Sequence, residues 1–306
     1  MFGCNLMTLL LIDSASLWYR AYYGMPETLV SPSGEPINAI RGFLDMTARL
    51  ITTYKPDRLA LCLDGDWRPS WRVDIYPEYK SNRLDDGDEE EEPDLLTPQI
   101  PVIIEVFDAL GVAILGADDY EADDVIATLS DTQSGPIRIA TGDRDLFQVV
   151  SDSKDSKVVY LAKGISSHDL VDEDWIAKKY GIPGNRYGLF AMIRGDASDG
   201  LPGIRGIGEK GAALLANLYP NMEALLDSLE KNDSKIPPNL AKKLNADIKY
   251  AKSATKLVSC VKDVRLPQVD LQIPKAPADK KELDDLASNY GLGTSLQRIT
   301  SSFSWR

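Results

Sequence analysis

The first half of this chain alternates short apolar runs with helical patterns, and this alternation strongly restricts the folds that it can adopt. Apolar runs bounded by turn residues predict strands over residues 7–13, 58–64, 112–116, 136–143 and 157–162. Helical periodicity between these runs predicts helices over residues 38–54, 97–110 and 121–131. Alternating strands and helices form a mostly parallel sheet with helices on both of its faces. The expected fold class is therefore α/β.

The second half of the chain has a helical pattern. It predicts helices over residues 167–181, 185–195, 208–219, 221–229 and 239–260, then a Pro-rich segment over 266–279 and a last short helix. We therefore expect an α/β domain over residues 1–164 and a helical region over residues 165–306.

Several protein classes are disfavoured by the composition. No apolar run approaches the ~20 residues of a membrane span, so we expect a cytoplasmic protein without a membrane partner. Cys4, Cys62 and Cys260 lie far apart, which indicates reduced thiols. His168 is the single histidine and no Ser or Cys elbow motif accompanies it, so a His-based triad is improbable. We interpret His168 as a surface residue at a helix start.

Residues 117–124 read ADDYEADD and contain five carboxylates without a basic residue. One interpretation is a solvated acidic loop, in which like charges repel weakly, by about 1 kcal/mol for a pair ~4 Å apart. The other interpretation is that some of these oxygens hold divalent cations, because Mg²⁺ and Mn²⁺ prefer carboxylate ligands. By helical spacing Glu121 and Asp124 share a face, whereas Asp123 points elsewhere.

Further carboxylates follow the predicted strands, beyond whose carboxyl ends ligands of such sheets bind. Those that occupy the last position of a predicted strand are Asp13, Asp64 and Asp143. TGDRD adds Asp145 to Asp143, and RGDASDG carries Asp196 and Asp199. Taken together, these clusters suggest a two-metal phosphodiester site, in which ions ~4 Å apart activate water and stabilise the leaving oxygen.

The charge distribution bears on nucleic-acid binding. The net charge of −13 alone argues against it. However, residues 84–94 contribute eight acids without one base, a composition typical of a mobile, solvated segment. The preceding residues 66–83 place basic side chains among Trp and Tyr residues, a mixture suited to phosphates and stacked bases.

GIGEKG, residues 206–211, has the G-x-G-x-x-G spacing of dinucleotide-binding folds, but no predicted strand precedes it. Glu209 also excludes a P-loop. We interpret the segment as a tight turn that enters a helix, whose free backbone N–H groups can bind a phosphate oxygen without reading sequence. A plain Gly-rich connection between helices is the alternative.

Six stretches in order, among them LLLIDSASLWYRAYYGMP, LDGDWRPSWRVDIYPEYKSNR, YEADDVIATL and GDASDGLPGIRGIGEKGAALL, resemble the bacterial 5′-nuclease family. This family comprises flap endonucleases and the N-terminal 5′-3′ exonuclease domain of DNA polymerase I. The resemblance covers most of residues 7–230 and implies a PIN-like nuclease domain. It also implies a flexible arch over about residues 66–96 and a helix-hairpin-helix element over about residues 196–219, which holds duplex DNA, usually with a K⁺ ion.

The resemblance also assigns site residues. It implies that two or more Mg²⁺ or Mn²⁺ ions are surrounded by nine carboxylates: Asp13, Asp64, Glu121, Asp123, Asp124, Asp143, Asp145, Asp196 and Asp199. Asp118 and Asp119 have no counterpart in the family. The residues expected to act in catalysis are Lys80, Arg83, Asp143 and Asp145. Those expected to contact DNA are Arg20, Tyr22, Arg72, Lys80, Arg83, Gly203, Gly206, Gly208 and Lys210. Arg20 and Tyr22 could equally be packing residues.

The implied function is a divalent-metal-dependent, structure-specific 5′ nuclease of replication and repair, in a bacterial or phage-infected cell. Its expected partner is branched or nicked duplex DNA with a 5′ flap or end, and we expect a stand-alone, nucleoid-associated monomer. One alternative is a ribonuclease that removes RNA primers from RNA-DNA hybrids. The other is a non-catalytic DNA-binding module, which is disfavoured because all nine carboxylates are present.

Overall fold

A six-stranded sheet forms the centre of the structure, a computed structural model that describes residues 7–84, 93 and 95–303. Its strands are β1 (Leu9–Asp13), β2 (Arg58–Cys62), β3 (Ala113–Leu115), β4 (Ile137–Thr141), β5 (Ser156–Tyr160) and β6 (Asp169–Val171). They lie in the order β3-β2-β1-β4-β5-β6, and all neighbours are parallel except β5 and β6. The predicted mostly parallel sheet is confirmed.

Helices flank this sheet and make up most of the second half of the described chain. The α-helices are α1 (Ser14–Gly24), α2 (Asn38–Tyr54), α3 (Ser70–Ile75), α4 (Gln99–Leu110), α5 (Ala122–Thr132), α6 (Glu173–Tyr180), α7 (Tyr187–Arg194), α8 (Glu209–Leu218), α9 (Met222–Glu230), α10 (Pro238–Ala246), α11 (Ile248–Val258), α12 (Lys280–Asn289) and α13 (Gly293–Ser302). None of these described helices has the length and apolar character needed to cross a membrane.

The core consists of two hydrophobic clusters, one on each face of the sheet. Successive side chains of a strand point to opposite faces. In β1, accordingly, Leu9 and Leu11 belong to one cluster, with α5 and α7, whereas Leu10 and Ile12 belong to the other, with α1, α2 and α4. All four leucine and isoleucine side chains are fully buried. Helices therefore cover both faces, as predicted, and the first cluster continues into helices α8 to α11.

The sheet brings distant acidic residues to one edge. Parallel strands end on the same side, and β1 lies between β2 and β4, with Asp13 paired to Cys62. The sequence predicted that Asp13, Asp64 and Asp143 each end a strand, and this prediction was wrong for Asp64 and Asp143. Only Asp13 is the last residue of its strand, because β2 ends at Cys62 and β4 at Thr141. Asp64 and Asp143 lie two residues further on, in turns where a carboxylate can accept backbone hydrogen bonds.

Two helical predictions were wrong. His168 is not at a helix start but directly precedes the edge strand β6, where its Nε2 lies 2.6 Å from the Tyr54 hydroxyl and its Nδ1 2.9 Å from the Ile165 carbonyl. The predicted helix over 239–260 is two helices that meet at Asp247, whose carboxylate accepts a hydrogen bond from the Arg205 amide at 2.7 Å. That bond to the hairpin fixes the break.

Other elements differ in number or lie outside the description. The sequence patterns did not predict α1, and the single last helix is in fact the pair α12 and α13. The predicted acidic run falls almost entirely on residues 85–92 and 94, which are outside the described residues, as is Cys4.

Candidate active site

Asp13 connects the ends of two neighbouring strands. Its Oδ1 accepts a hydrogen bond from the Ser16 amide at 3.2 Å, so the side chain caps the start of α1. Its Oδ2 accepts one from the Thr141 hydroxyl at 2.5 Å, and the same hydroxyl accepts from the Asp143 amide at 2.8 Å. A single hydroxyl thus holds the carboxylate after β1 close to the turn after β4.

Asp64 connects the turn after β2 to the start of α5. Its Oδ1 accepts a hydrogen bond from the Ala122 amide at 2.7 Å. Glu121 is the N-cap of α5, where Asp124 completes a capping box by accepting from the Glu121 amide. Free N–H groups at a helix start stabilise negative charge, which favours carboxylates at this position.

Glu121 is the centre of a buried network of ion pairs and hydrogen bonds with residues of the segment over residues 66–83. Its Oε1 lies 2.7 Å from Arg72 Nη1 and accepts a hydrogen bond from the Tyr79 hydroxyl at 2.7 Å. Its Oε2 lies 2.6 Å from Lys80 Nζ. Burial alone would raise the pKa of Glu121, but Lys80 and Arg72 outweigh burial and lower it. Glu121 is therefore ionised and holds two cations of the predicted arch.

Asp124 is fully buried. One oxygen accepts hydrogen bonds from Arg72 Nη2 at 2.9 Å and from the Val261 amide at 2.7 Å. Helical spacing had grouped Glu121 with Asp124 and set Asp123 apart. In the structure Glu121 and Asp123 line the cavity together, and Asp124 does not.

A cavity of about 840 Å³ opens at this edge of the sheet. Seven of the nine predicted metal ligands line it: Asp13, Asp64, Glu121, Asp123, Asp143, Asp196 and Asp199. Asp124 and Asp145 do not, although Asp145 has a buried Oδ1 without a hydrogen-bond partner. Within residues 7–84, 93 and 95–303, no group of three or more His, Cys, Asp or Glu side chains lies close enough together to hold a metal ion as the side chains stand.

Burial, with a smaller contribution from charge repulsion, raises the pKa of several of these carboxyls. Burial, with smaller contributions from Asp64 and Asp143, raises the pKa of Asp13 to about 7. Burial also raises the pKa of Asp199 to about 6, although Lys80 and Arg83 oppose it. The pKa of Asp123 lies well above its ordinary value, again mainly through burial. Such a donor set of oxygens, crowded and partly desolvated, fits hard divalent cations, which relieve the repulsion.

Basic residues of the segment over residues 66–83 border the acidic cavity. Lys80 is buried, and its Nζ also donates to the Trp67 carbonyl at 3.0 Å. Arg83 forms an ion pair with Asp199 and donates to the Ser198 carbonyl at 3.2 Å. Lys80 and Arg83 both line the cavity, whereas Arg72 is committed to Glu121 and Asp124 and does not.

Helix α1 lines another side of the cavity, but only one of its two predicted DNA-contacting residues does so. Tyr22 is buried, packs in the second hydrophobic cluster and donates to Glu27 at 3.2 Å. Of the two roles considered for Tyr22, DNA contact and core packing, the structure therefore supports core packing. Arg20 does line the cavity, together with Tyr19 and Tyr23, which the sequence patterns had not singled out. The available signal was the spacing of three and four residues that relates Ser16, Tyr19, Arg20 and Tyr23 on one helix, all of which line the cavity.

The predicted hairpin lies between helices α7 and α8. Gly203 and Gly206 have positive φ angles of 63° and 80° in its turn. A Cβ on Gly203 would lie 2.5 Å from the Arg194 backbone, so that site accepts only glycine. Gly208 caps α8, and nothing lies within 4 Å of a Cβ built on it. Lys210 is exposed in the first turn of α8.

Models of two protein-family domains match consecutive parts of the chain. The N-terminal resolvase-like domain of 5′-3′ exonucleases matches residues 8–181, and the C-terminal SAM fold of the same proteins matches residues 182–281. The chain belongs to the 5′-3′ exonuclease family. The cavity of this 5′-3′ exonuclease takes its lining from both matched regions, because Asp196 and Asp199 follow α7.

Two full-length bacterial relatives of this 5′-3′ exonuclease are similar over nearly the whole chain. A 5′-3′ exonuclease of Streptomyces coelicolor is 43% identical over 298 residues, which cover 96% of this chain and 99% of the relative. One of Mycobacterium tuberculosis is 39% identical over 305 residues, which cover 95% and 96%.

A solved structure is similar in fold to this 5′-3′ exonuclease. The bacteriophage T5 flap endonuclease, in a pseudo-enzyme-product complex with DNA and metal ions, superposes with a TM-score of 0.63 at 14% identity, covering 97% of this chain and 99% of that one. At this identity the likeness concerns the fold.

Proposed function

We propose that this 5′-3′ exonuclease hydrolyses DNA phosphodiester bonds at 5′ flaps and free 5′ ends, with its acidic cavity as the reaction site. The observation that supports this proposal is the arrangement of seven carboxylates from five separate segments around one cavity, beside Lys80 and Arg83. The similarity to a flap endonuclease that binds DNA and metal ions supports the same substrate class.

Two or more Mg²⁺ or Mn²⁺ ions are part of the proposal. Asp13, Asp64, Asp123, Asp143 and Asp199 would hold them, and Glu121 and Asp196 line the same cavity. When bound, such ions activate water and stabilise the charge on the reacting oxygens. Asp145 belongs to the proposed set through its unpartnered buried oxygen, whereas the bonds of Asp124 to Arg72 and Val261 give it a structural role.

The remaining residues of the proposed site bind and orient the substrate. Lys80 and Arg83 face the cavity as cations, and fixed positive charge beside a phosphate stabilises the negative charge that develops in the transition state. Glu121 keeps Lys80 in place through the 2.6 Å ion pair. The free N–H groups near Gly208, with Lys210 and a K⁺ ion, would hold the duplex backbone at the hairpin.

The test uses labelled 5′-flap, nicked-duplex, single-strand and RNA-DNA hybrid substrates, each with Mg²⁺, with Mn²⁺ and with chelator. We expect cleavage of flaps and ends that requires a divalent ion. Asp143→Asn should abolish most of it, because the substitution removes a ligand charge at nearly constant volume. Asp118→Asn is the matched control, since Asp118 is exposed in the neighbouring loop and does not line the cavity.

Three results would contradict this proposal. Cleavage that persists in chelator would remove the metal requirement, and equal loss in both variants would remove the assignment of the cavity. Preferential cleavage of hybrids would instead favour the ribonuclease.

A further inference from the structure

A second cavity lies beside the acidic one, on the side of the hairpin. It has a volume of about 600 Å³ and shares lining residues with the acidic cavity, among them Arg144 and Asp196. The rest of its lining comes from Arg194 and the connection from α7 to the hairpin. A Cβ on Gly195 in this connection would lie 2.4 Å from the Gly203 amide nitrogen, so the wall of the second cavity touches the hairpin turn. A DNA strand that reaches from the acidic cavity to the hairpin would therefore pass over the second cavity.

The charge of the second cavity is opposite to that of the acidic one. Among the described residues that line it, Arg144 and Arg194 are basic and only Asp196 is acidic. Nη2 of each arginine lies 3.7 Å from Asp196 Oδ2, which is longer than a hydrogen bond. The other oxygen of Asp196 accepts hydrogen bonds from the amide and the hydroxyl of Ser198. Two guanidiniums thus share one carboxylate, which leaves the second cavity with a net positive charge.

Arg194 has a fixed position but is not fully hydrogen-bonded. Its Nε donates to the Gly195 carbonyl at 3.1 Å, and its guanidinium carbon lies 5.3 Å from the centroid of the Phe190 ring. The side chain is 14% exposed, and its Nη2 has no hydrogen-bond partner within the described part of the chain. A donor left without an acceptor costs free energy, which a bound acceptor would recover. Arg144, in the turn after β4, is more accessible, because 46% of its side chain is exposed.

A pair of guanidiniums in one cavity matches the chemistry of a phosphate group, since the planar N–H donors of arginine fit phosphate oxygens. We propose that Arg144 and Arg194 together bind one phosphate group of the cleaved DNA strand, between the scissile bond and the hairpin. This inference rests on the proposed function, and it adds a subsite to the contacts that Lys80 and Arg83 make in the acidic cavity. A phosphate contact fixes the position of the strand without reading its sequence.

The direct test replaces the phosphates of a 5′-flap substrate, one linkage at a time, by uncharged methylphosphonates. Affinity is measured by fluorescence anisotropy in chelator. Wild type should lose roughly 10-fold in affinity at one position on the duplex side of the cleavage site. Arg144→Gln and Arg194→Gln should show no further loss with that substrate, because the contact is already absent. Arg265→Gln is the matched control and should behave as wild type, since Arg265 is exposed and lines neither cavity.

Thermal midpoints show whether the variants fold, and Arg144→Gln, at the more exposed side chain, decides the test if Arg194→Gln does not. A position-specific loss that persists in the folded arginine variants would overturn the proposal, as would an equal loss of affinity for every substrate. Inorganic phosphate is the second probe. Binding of this ion that requires both arginines, without any position-specific loss on DNA, would assign the cavity to free phosphate and overturn the strand contact. A wild type that cleaves none of the substrates with Mg²⁺ would overturn the proposed function instead.

Discussion

Glu121 and Asp124 belong to one helix start but have different surroundings. Glu121 lines the cavity and carries the cations of Lys80 and Arg72, whereas Asp124 is enclosed between Arg72 and the backbone at Val261. Asp124→Ala would remove one of the two carboxylates that pair with buried Arg72 and would leave the Val261 amide without its acceptor, and removing one partner of a buried ion pair destabilises a protein by up to about 3–5 kcal/mol. We therefore expect Asp124→Ala to lower the thermal midpoint strongly, as measured by circular dichroism. Asp143→Ala, at an exposed carboxylate, should leave the midpoint nearly unchanged while cleavage falls by about 100-fold or more.

The acidic cavity should also give the metal-free protein an unusual pH dependence. The pKa of Asp13 is raised to about 7 in the folded protein, against about 3.9 in an unfolded chain. The folded state therefore holds a proton that the unfolded state releases, and stability falls as the pH rises from about 4 to about 7. In chelator, the thermal midpoint should decrease between pH 5 and pH 7.5. Asp13→Asn should make this decrease smaller, with Asp123 and Asp199 accounting for the remainder, and a wild-type curve that is already flat in chelator would contradict this pKa.

At the residue scale, seven of the nine carboxylates that the sequence predicted line the cavity, but the sequence did not predict what each one contacts. The motif order was sufficient for Asp13, Asp64 and Asp143, because parallel strands must end at one edge. The role of Asp124 depends on Arg72, 52 residues away, and no local spacing contains that pairing. The packing role of Tyr22 likewise depends on its burial in the core, which local sequence does not determine.

The hairpin between α7 and α8 allows a test at the scale of one element. Gly203→Ala should destabilise the protein, because its Cβ would meet the Arg194 backbone and its φ is positive. Gly208→Ala should leave the thermal midpoint nearly unchanged, since its Cβ meets only open space, but it should weaken duplex binding in fluorescence anisotropy. Equal duplex affinity of Gly208→Ala and wild type would mean that the start of α8 does not approach DNA.

Elements were predicted best where periodicity was long and worst where tertiary contacts decide. The pattern over residues 38–54 matches α2 to the residue, because its apolar face is continuous. The short strand β6 has only three residues and forms against β5, so local sequence gave a helix instead. The break at Asp247 depends on the hairpin amide of Arg205, which is 42 residues away.

For the whole molecule, the last two helices are part of the core rather than an appendage. They lie almost entirely beyond residue 281, where the family match ends, yet Leu283, Leu292 and Ile299 are buried in the second hydrophobic cluster. Ile299→Ala should lower the free energy of unfolding by about 2–5 kcal/mol, measured by urea denaturation. Gln297→Ala, on the exposed face of α13, should change it little. Equal effects of the two substitutions would contradict the packing of α13 described here.

The strand order also determines how long β1 waits for its neighbour β4 while the chain is synthesised on the ribosome. The first strand to emerge, β1, occupies a central position, and one of its two neighbours is β4, with Leu9 paired to Ile137, 128 residues later. At about 5–20 residues per second, that partner arrives roughly 6–26 s after β1. During this interval one edge of an apolar strand is open to other chains and to chaperones. A nascent chain halted before β4 is therefore an aggregation-prone intermediate, and slow translation upstream of residue 137 prolongs its exposure.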